Sequence, residues 1–167
     1  MTAAFPTIRA AEESDLPEVM VMNNAAVPAV SAQNRSEVEW LFRHAAEFLI
    51  AEDHGYVAGF IIVLGPGLDY ASENYRWFSQ RYEQFVYIDR VVVGKRNRGR
   101  GIGQALYEAV AESASAQAAP VLLAEVNIEP RNDQSLDFHD AAGFVSVGEQ
   151  DTQGGTKRVT LLEKPLP

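Results

Sequence analysis

The segment from Phe85 to Gly103 constrains this chain most. Phe85 to Val93 is a run of apolar and β-branched residues broken only by Asp89 and Arg90, the pattern of a buried strand. Arg96-Asn97-Arg98-Gly99-Arg100-Gly101-Ile102-Gly103 follows almost at once. Ile102, Ala105, Leu106, Ala109 and Val110 then recur at helical spacing. A strand, a glycine turn and a helix start place several backbone N–H groups around one anion. Glycine also lets the main chain approach phosphate oxygens with no side chain in the way. Arg90, Lys95, Arg96, Arg98 and Arg100 put five cations into eleven residues of a chain whose net charge is -9. A phosphate-bearing ligand is expected here; the alternative is a tight turn whose arginines are only solvated.

Two familiar phosphate motifs fail. The dinucleotide fingerprint needs glycines spaced G-x-G-x-x-G, but the third position is Gln104 counted from Gly99 and Leu106 counted from Gly101. The nucleotide P-loop needs Ser or Thr after Gly-Lys, whereas Gly94-Lys95 is followed by Arg96.

Arg96, Gly99 and Gly101 instead resemble the coenzyme motif of the GNAT superfamily of N-acetyltransferases. There Arg or Gln, two residues, Gly, one residue, and Gly or Ala follow a central strand, and Asp89-Arg90-Val91-Val92-Val93 looks like that strand. A second block is similar to the family in the right order: Glu125-Val126-Asn127, Pro130, Asn132, Ser135, Phe138-His139 and Gly143-Phe144. The resemblance covers about residues 7 to 162, is strongest from Tyr87 onward, and within the superfamily points to a small bacterial branch.

The resemblance implies one acyltransferase domain spanning residues 1–167. Its fold is a mixed α/β (α+β) one, with a mostly antiparallel sheet of six to seven strands, splayed fourth and fifth strands and about four helices. It implies acetyl-CoA as co-substrate and acetyl transfer to a primary amine, directly in a ternary complex. The main chain of Val91 and Val93 would hold the pantetheine arm, and a backbone N–H near Val92 would stabilise the oxyanion. The N–H groups from Arg98 through Gly99, Arg100, Gly101 and Ile102 to Gly103 would cradle the pyrophosphate, with Arg96, Lys95 or Arg100 toward the 3′-phosphate. Asn132 is either a pantetheine contact or an N-cap, and Ser135 either a contact or a helix-packing residue.

His139 stands four residues before the Gly143-Phe144 pair, where the family usually has a tyrosine placed to protonate the departing thiolate; some branches carry histidine there, and imidazole suits a general acid or base. Otherwise it is a packed helix histidine. Deprotonating an ammonium needs a base, and Glu125 and Asp89 are carboxylates in strands that read as buried. Glu125 is preferred; either residue is alternatively half of a structural ion pair, Asp89 with an arginine. On the acceptor side, relatives build a wall where Asn23, Asn24 and Pro28 stand. Tyr70, Tyr75 and Trp77, in the connection from Pro66 to Gln84, are expected to line an aromatic pocket for the amine, to cover a sheet edge or to form a dimer interface.

The other elements follow from local signals. Thr7 to Ala10 reads as a strand, Ser14 or Asp15 with Pro17 as a helix start, and Ser36 with Glu39 as a capping box. Phe48–Glu52 and Tyr56–Leu64 read as a hairpin around Asp53-His54-Gly55. Val121–Val126, Phe144–Val147 and Val159–Leu162 read as strands.

The chain has no cysteine, which excludes disulfides and an acyl-cysteine intermediate. The acidic balance argues against nucleic acid and anionic membrane as partners. Met1 to Glu12 lacks the pattern of a secretory signal, so a cytoplasmic setting is expected. The three histidines, His44, His54 and His139, are scattered and predict no metal site. The resemblance also implies a homodimer. Protein N-termini or lysines are an alternative acceptor class. A non-catalytic acyl-CoA sensor is an alternative of another kind, one that would bind acetyl-CoA without turnover.

Overall fold

Tyr56–Leu64 carries no polar side chain after its first residue, and every position but Tyr56 is buried. That strand, β3, pairs antiparallel with β2 (Glu47–Asp53), which pairs in turn with β1 (Thr7–Ala10). The computed structural model describes residues 5–167, so the reading of the N-terminus, which begins at Met1, lies partly outside it. The remaining strands are β4 (Val86–Val93), β5 (Val121–Glu129), β6 (Val145–Thr152) and β7 (Lys157–Pro165). The helices are α1 (Leu16–Ala25), α2 (Arg35–His44), α3 (Glu73–Ser79), α4 (Ile102–Ala116) and α5 (Asp133–Ala141).

The seven strands order as β1-β2-β3-β4-β5-β7-β6. The sheet is mostly antiparallel, and β4 and β5 pair parallel at Val86↔Leu122 and Tyr87↔Leu123. This is the mixed α/β fold expected. Two compact units divide the chain: residues up to Leu64 with Ile88–Ser113, and Gly65–Tyr87 with Ala114–Pro167. The first holds β1 to β3, α1 and α2; the second holds α3, β5, α5, β6 and β7; β4 and α4 are each divided between them.

Strands β5 and β7 run longer than the sequence reading, to Glu129 and over Lys157–Pro165, and three further elements differ from it. The capping box of α2 sits two residues earlier: Asn34 Oδ1 accepts the Glu37 N–H at 2.9 Å, and Glu37 Oε1 accepts the Asn34 N–H at 3.0 Å. Glu39 is taken instead by Arg35 at 2.9 Å, an i,i+4 pair. The connection after β3 contains a fifth helix, α3, capped by Ser72, whose Oγ accepts the Tyr75 N–H at 3.2 Å. Its two turns are too short to show a helical period. Strand β6 runs on to Thr152 through Glu149, Gln150 and Asp151. As the last strand in the sheet it tolerates these polar side chains, and Arg158 of β7 holds Glu149 at 3.0 Å and Asp151 at 2.8 Å. Among the described residues no helix is long and apolar enough to cross a membrane.

Candidate active site

In the first unit β4 ends on Val91, Val92 and Val93, of which Val92 is buried and the other two half-buried. One 3-10 turn, Lys95–Asn97, follows Gly94, with the Asn97 N–H donating to the Gly94 carbonyl at 2.8 Å. Arg98 is extended, Gly99 lies at φ 79°, and Gly101 at φ 78°. Both glycines are left-handed, a conformation that costs an L side chain roughly 1–2 kcal/mol. A Cβ at either would meet nothing within 4 Å, so conformation rather than crowding demands glycine there. The first helical bond of α4 runs from the Ala105 N–H to the Gly101 carbonyl at 3.0 Å. The N–H groups of Ile102, Gly103 and Gln104 precede it and are the donors that a helix start offers an anion.

Lys95, Arg96 and Arg98 are exposed. They share with Met22 and Val21 of α1 the lining of a groove of about 570 Å³. Arg100 differs from these three. Its guanidinium donates to Asp53 Oδ2 at 2.8 Å and to Asn97 Oδ1 at 3.0 Å, so the side chain is engaged within the protein.

Asp89 is paired as well. Alternation along a strand sends neighbouring side chains to opposite faces, yet Arg90 Nε donates to Asp89 Oδ2 at 2.7 Å. The long arginine side chain reaches its neighbour's carboxylate, and both are nearly fully buried, 5% and 3% exposed. Arg90 also donates to Asn23 Oδ1 at 3.0 Å and to the Ser31 carbonyl at 3.1 Å, tying the connection between α1 and α2 to β4. Asn24 closes the same connection through both main-chain groups of Gln33, at 2.9 and 3.0 Å. The structural ion pair expected as the alternative for Asp89 is therefore present.

In the second unit Glu125 of β5 is half-buried, and the fully buried Tyr87 points its hydroxyl at the carboxylate, 2.9 and 2.8 Å from the two oxygens. The register explains the meeting: Tyr87 pairs with Leu123, and Glu125, two residues on, shares that face. Tyr87 is held in turn by Tyr75 and Phe78, ring centroids 5.7 and 5.6 Å away. Neither the register nor the pairing of Tyr87 with Glu125 is visible from sequence, where Tyr87 only marks the start of the stretch most similar to the family.

Asn132, Ser135 and His139 line one side of α5 and are bonded to one another. Asn132 caps the helix, its Oδ1 accepting the Ser135 N–H at 3.2 Å. His139 Nδ1 lies 2.7 Å from the Ser135 carbonyl and 3.3 Å from its hydroxyl. A carbonyl accepts only, so Nδ1 carries the proton. The ring is 4% exposed, edge-on to Phe138 and Phe144. Burial pushes its pKa below the ordinary histidine value, only partly offset by the Ser135 carbonyl. His139 is accordingly a neutral imidazole near pH 7, whose Nδ1 proton is committed to its own helix.

The aromatic residues after β3 serve packing. Tyr75, 1% exposed, donates its hydroxyl to the Gly65 carbonyl at 2.7 Å and accepts the Leu68 N–H at 3.0 Å, folding that connection onto α3. Tyr70 stands edge-on to it at 5.6 Å. Trp77 lies over Gly148 of β6, where a Cβ would fall 2.7 Å from the indole, and the Arg81 guanidinium stacks on its ring at 3.7 Å. These contacts match the sheet-covering alternative for this segment. Among the described residues no group of three or more histidines and carboxylates is placed to hold a metal.

No curated protein matches the sequence. Solved structures match over nearly the whole chain. An Ard1 from Thermoplasma volcanium is 20% identical, with 98% of this chain and 99% of that one covered and a TM-score of 0.79. An N-acetyltransferase from Staphylococcus aureus Mu50 is 21% identical, with 98% and 100% covered and a TM-score of 0.74. The Salmonella typhimurium protein yncA, solved with its cofactor acetyl-CoA, is 20% identical, with 98% and 95% covered and a TM-score of 0.72. The model of the Acetyltransferase (GNAT) family matches residues 13–144, which include β4, the glycine loop, β5 and α5. The chain therefore belongs to the GNAT family and is an acetyl-CoA-dependent N-acetyltransferase.

Proposed function

We propose that this single acyltransferase domain acetylates a primary amine on a small or amino-acid-like molecule, with Glu125 as the base. The observation that carries the reading is the Glu125 carboxylate, half-buried and fixed through both oxygens by the Tyr87 hydroxyl. An alkylammonium has a pKa of roughly 10.4 in water and must lose a proton before it attacks a thioester. A carboxylate held in one orientation can take that proton directly or through a water. The amine nitrogen then attacks the acetyl carbonyl, the C–S bond breaks, and the second proton that the nitrogen loses on becoming an amide passes to the sulfur, so coenzyme A leaves as the thiol. With no cysteine in the chain, an acyl-cysteine intermediate is excluded.

The coenzyme belongs to the loop in this reading. The N–H groups from Arg98 to Gly103 bind the pyrophosphate, and Arg96 with Lys95 or Arg98 meets the 3′-phosphate. The main chain of Val91 and Val93 takes the pantetheine arm, and the Val92 region takes the oxyanion. The net charge of -9 favours a cationic acceptor over an anionic one.

The test is Glu125→Gln. Its kcat should fall by about 10²–10³, within the range a positioned base contributes, and the acidic limb of its pH–rate profile should flatten. An unchanged acidic limb removes Glu125 from the mechanism.

A further inference from the structure

Asp53 closes β2 in the hairpin Asp53-His54-Gly55-Tyr56, a position that reads from sequence as a turn and nothing more. Its carboxylate is only 7% exposed and gathers three donors. Arg100 Nη1 reaches Oδ2 at 2.8 Å, the Tyr56 hydroxyl reaches the same oxygen at 3.1 Å, and His54 Nδ1 lies 2.8 Å from Oδ1. The Arg100 hydrogen bond is the main influence holding the Asp53 carboxyl below its usual range, so the group is ionised at neutral pH. From Arg100 the network continues inward. The same Nη1 donates to Asn97 Oδ1 at 3.0 Å, and Asn97, 4% exposed, donates its own N–H back to the Gly94 carbonyl.

This network runs from the hairpin to Arg100, Asn97 and Gly94 in the glycine loop. Arg100 stands between two left-handed glycines, residues that lose more backbone freedom on ordering than any other. A loop whose N–H groups must converge on one anion needs something outside the glycines to hold them. The arginine in that place is turned toward the protein, whereas Lys95, Arg96 and Arg98 are exposed.

We propose that Asp53 is a positioning residue for the coenzyme loop, acting through Arg100 and Asn97, and that Arg100 strengthens acetyl-CoA binding without touching the 3′-phosphate. The inference rests on the assignment of this loop to acetyl-CoA. It separates the cations into two kinds: one that shapes the loop and three that remain for phosphate.

Calorimetric titration with coenzyme A and with 3′-dephospho-coenzyme A tests it. Arg100→Gln and Asp53→Asn should weaken both ligands about tenfold or more, the scale of a lost charge-assisted hydrogen bond, and by the same factor. The KM for acetyl-CoA should rise in step while kcat stays within about twofold, and Arg100→Lys should recover part of the loss. Thermal melting checks that each variant folds; if Asp53→Asn does not, Arg100→Gln carries the test. Two outcomes with an intact wild type overturn the inference alone. One is an Arg100→Gln protein that loses coenzyme A but keeps its grip on the dephospho form, which would make Arg100 a phosphate ligand. The other is unchanged affinity for both ligands. A wild-type protein that binds neither ligand overturns the inference and the loop assignment together.

Discussion

The loop from Gly94 to Gly103 and the connection from Gly65 to Phe85 both stand out in the sequence, one for glycine and arginine, the other for aromatic rings. In the structure they part company. The loop keeps residues that packing does not explain: two left-handed glycines with open space where a Cβ would sit, and three exposed cations. The aromatic connection is accounted for by packing almost residue by residue. Tyr75 ties the main chain at Gly65 and Leu68, and Trp77 covers Gly148. Tyr82 donates to Glu163 of β7 at 2.6 Å, and its own pKa is pushed up to about 12, chiefly by burial. An unusual residue type points to function only after packing has claimed its share. Tyr87 belongs to both kinds, since its ring is packed while its hydroxyl serves Glu125.

Trp77→Ala should cost about 2–3 kcal/mol of stability, since it empties the space over Gly148 and removes the ring beneath Arg81. Thermal melting reads this, and an unchanged melting temperature with an altered acceptor preference would return Trp77 to the substrate pocket. Tyr87→Phe keeps the ring and deletes the hydroxyl. It should lower kcat about 10- to 30-fold by releasing Glu125, with a smaller loss of stability. Equal losses in both would make the pair structural.

Gly101→Val places a β-branched residue at φ 78°, a strain of roughly 1–2 kcal/mol. Acetyl-CoA affinity should fall about tenfold while secondary structure, followed by circular dichroism, holds. The smallest effect concerns His139. The unfolded chain protonates this residue near pH 6.5, whereas burial keeps the folded form neutral to lower pH. Below about pH 6.5 the unfolded state therefore binds more protons, and stability declines as pH falls. Denaturant midpoints at pH 7 and pH 5 should differ less in His139→Phe than in the wild type. Equal differences would show that His139 does not titrate as its burial requires.

The fold was legible because its signals are local or carried by whole motifs. The run through β3, the glycine loop and the Gly143-Phe144 entry to β6 each state their structure in a few consecutive residues. The short helix α3 and the polar half of β6 were not legible. One is only two turns long, and the other lies at a sheet edge where burial imposes no alternation. At the site, the loop and Glu125 could be named from sequence. Their partners Asp53 and Tyr87 could not, because each depends on a contact between segments distant in the chain or on a strand register, and the bond from Arg100 to Asn97 within the loop depends on how the loop turns. The two roles open for Asn132 likewise needed the geometry, which shows it capping α5.

Acetyl transfer to an amine is tested most directly by following thiol release from acetyl-CoA continuously against small amines, amino acids and peptides. Because the chain has no cysteine, a thiol-reactive dye reports coenzyme A alone. Release should depend on a small primary amine and nearly vanish in Glu125→Gln. Release supported only by peptides would contradict the small-molecule acceptor. Tight acetyl-CoA binding with no release for any acceptor would contradict the catalytic account itself.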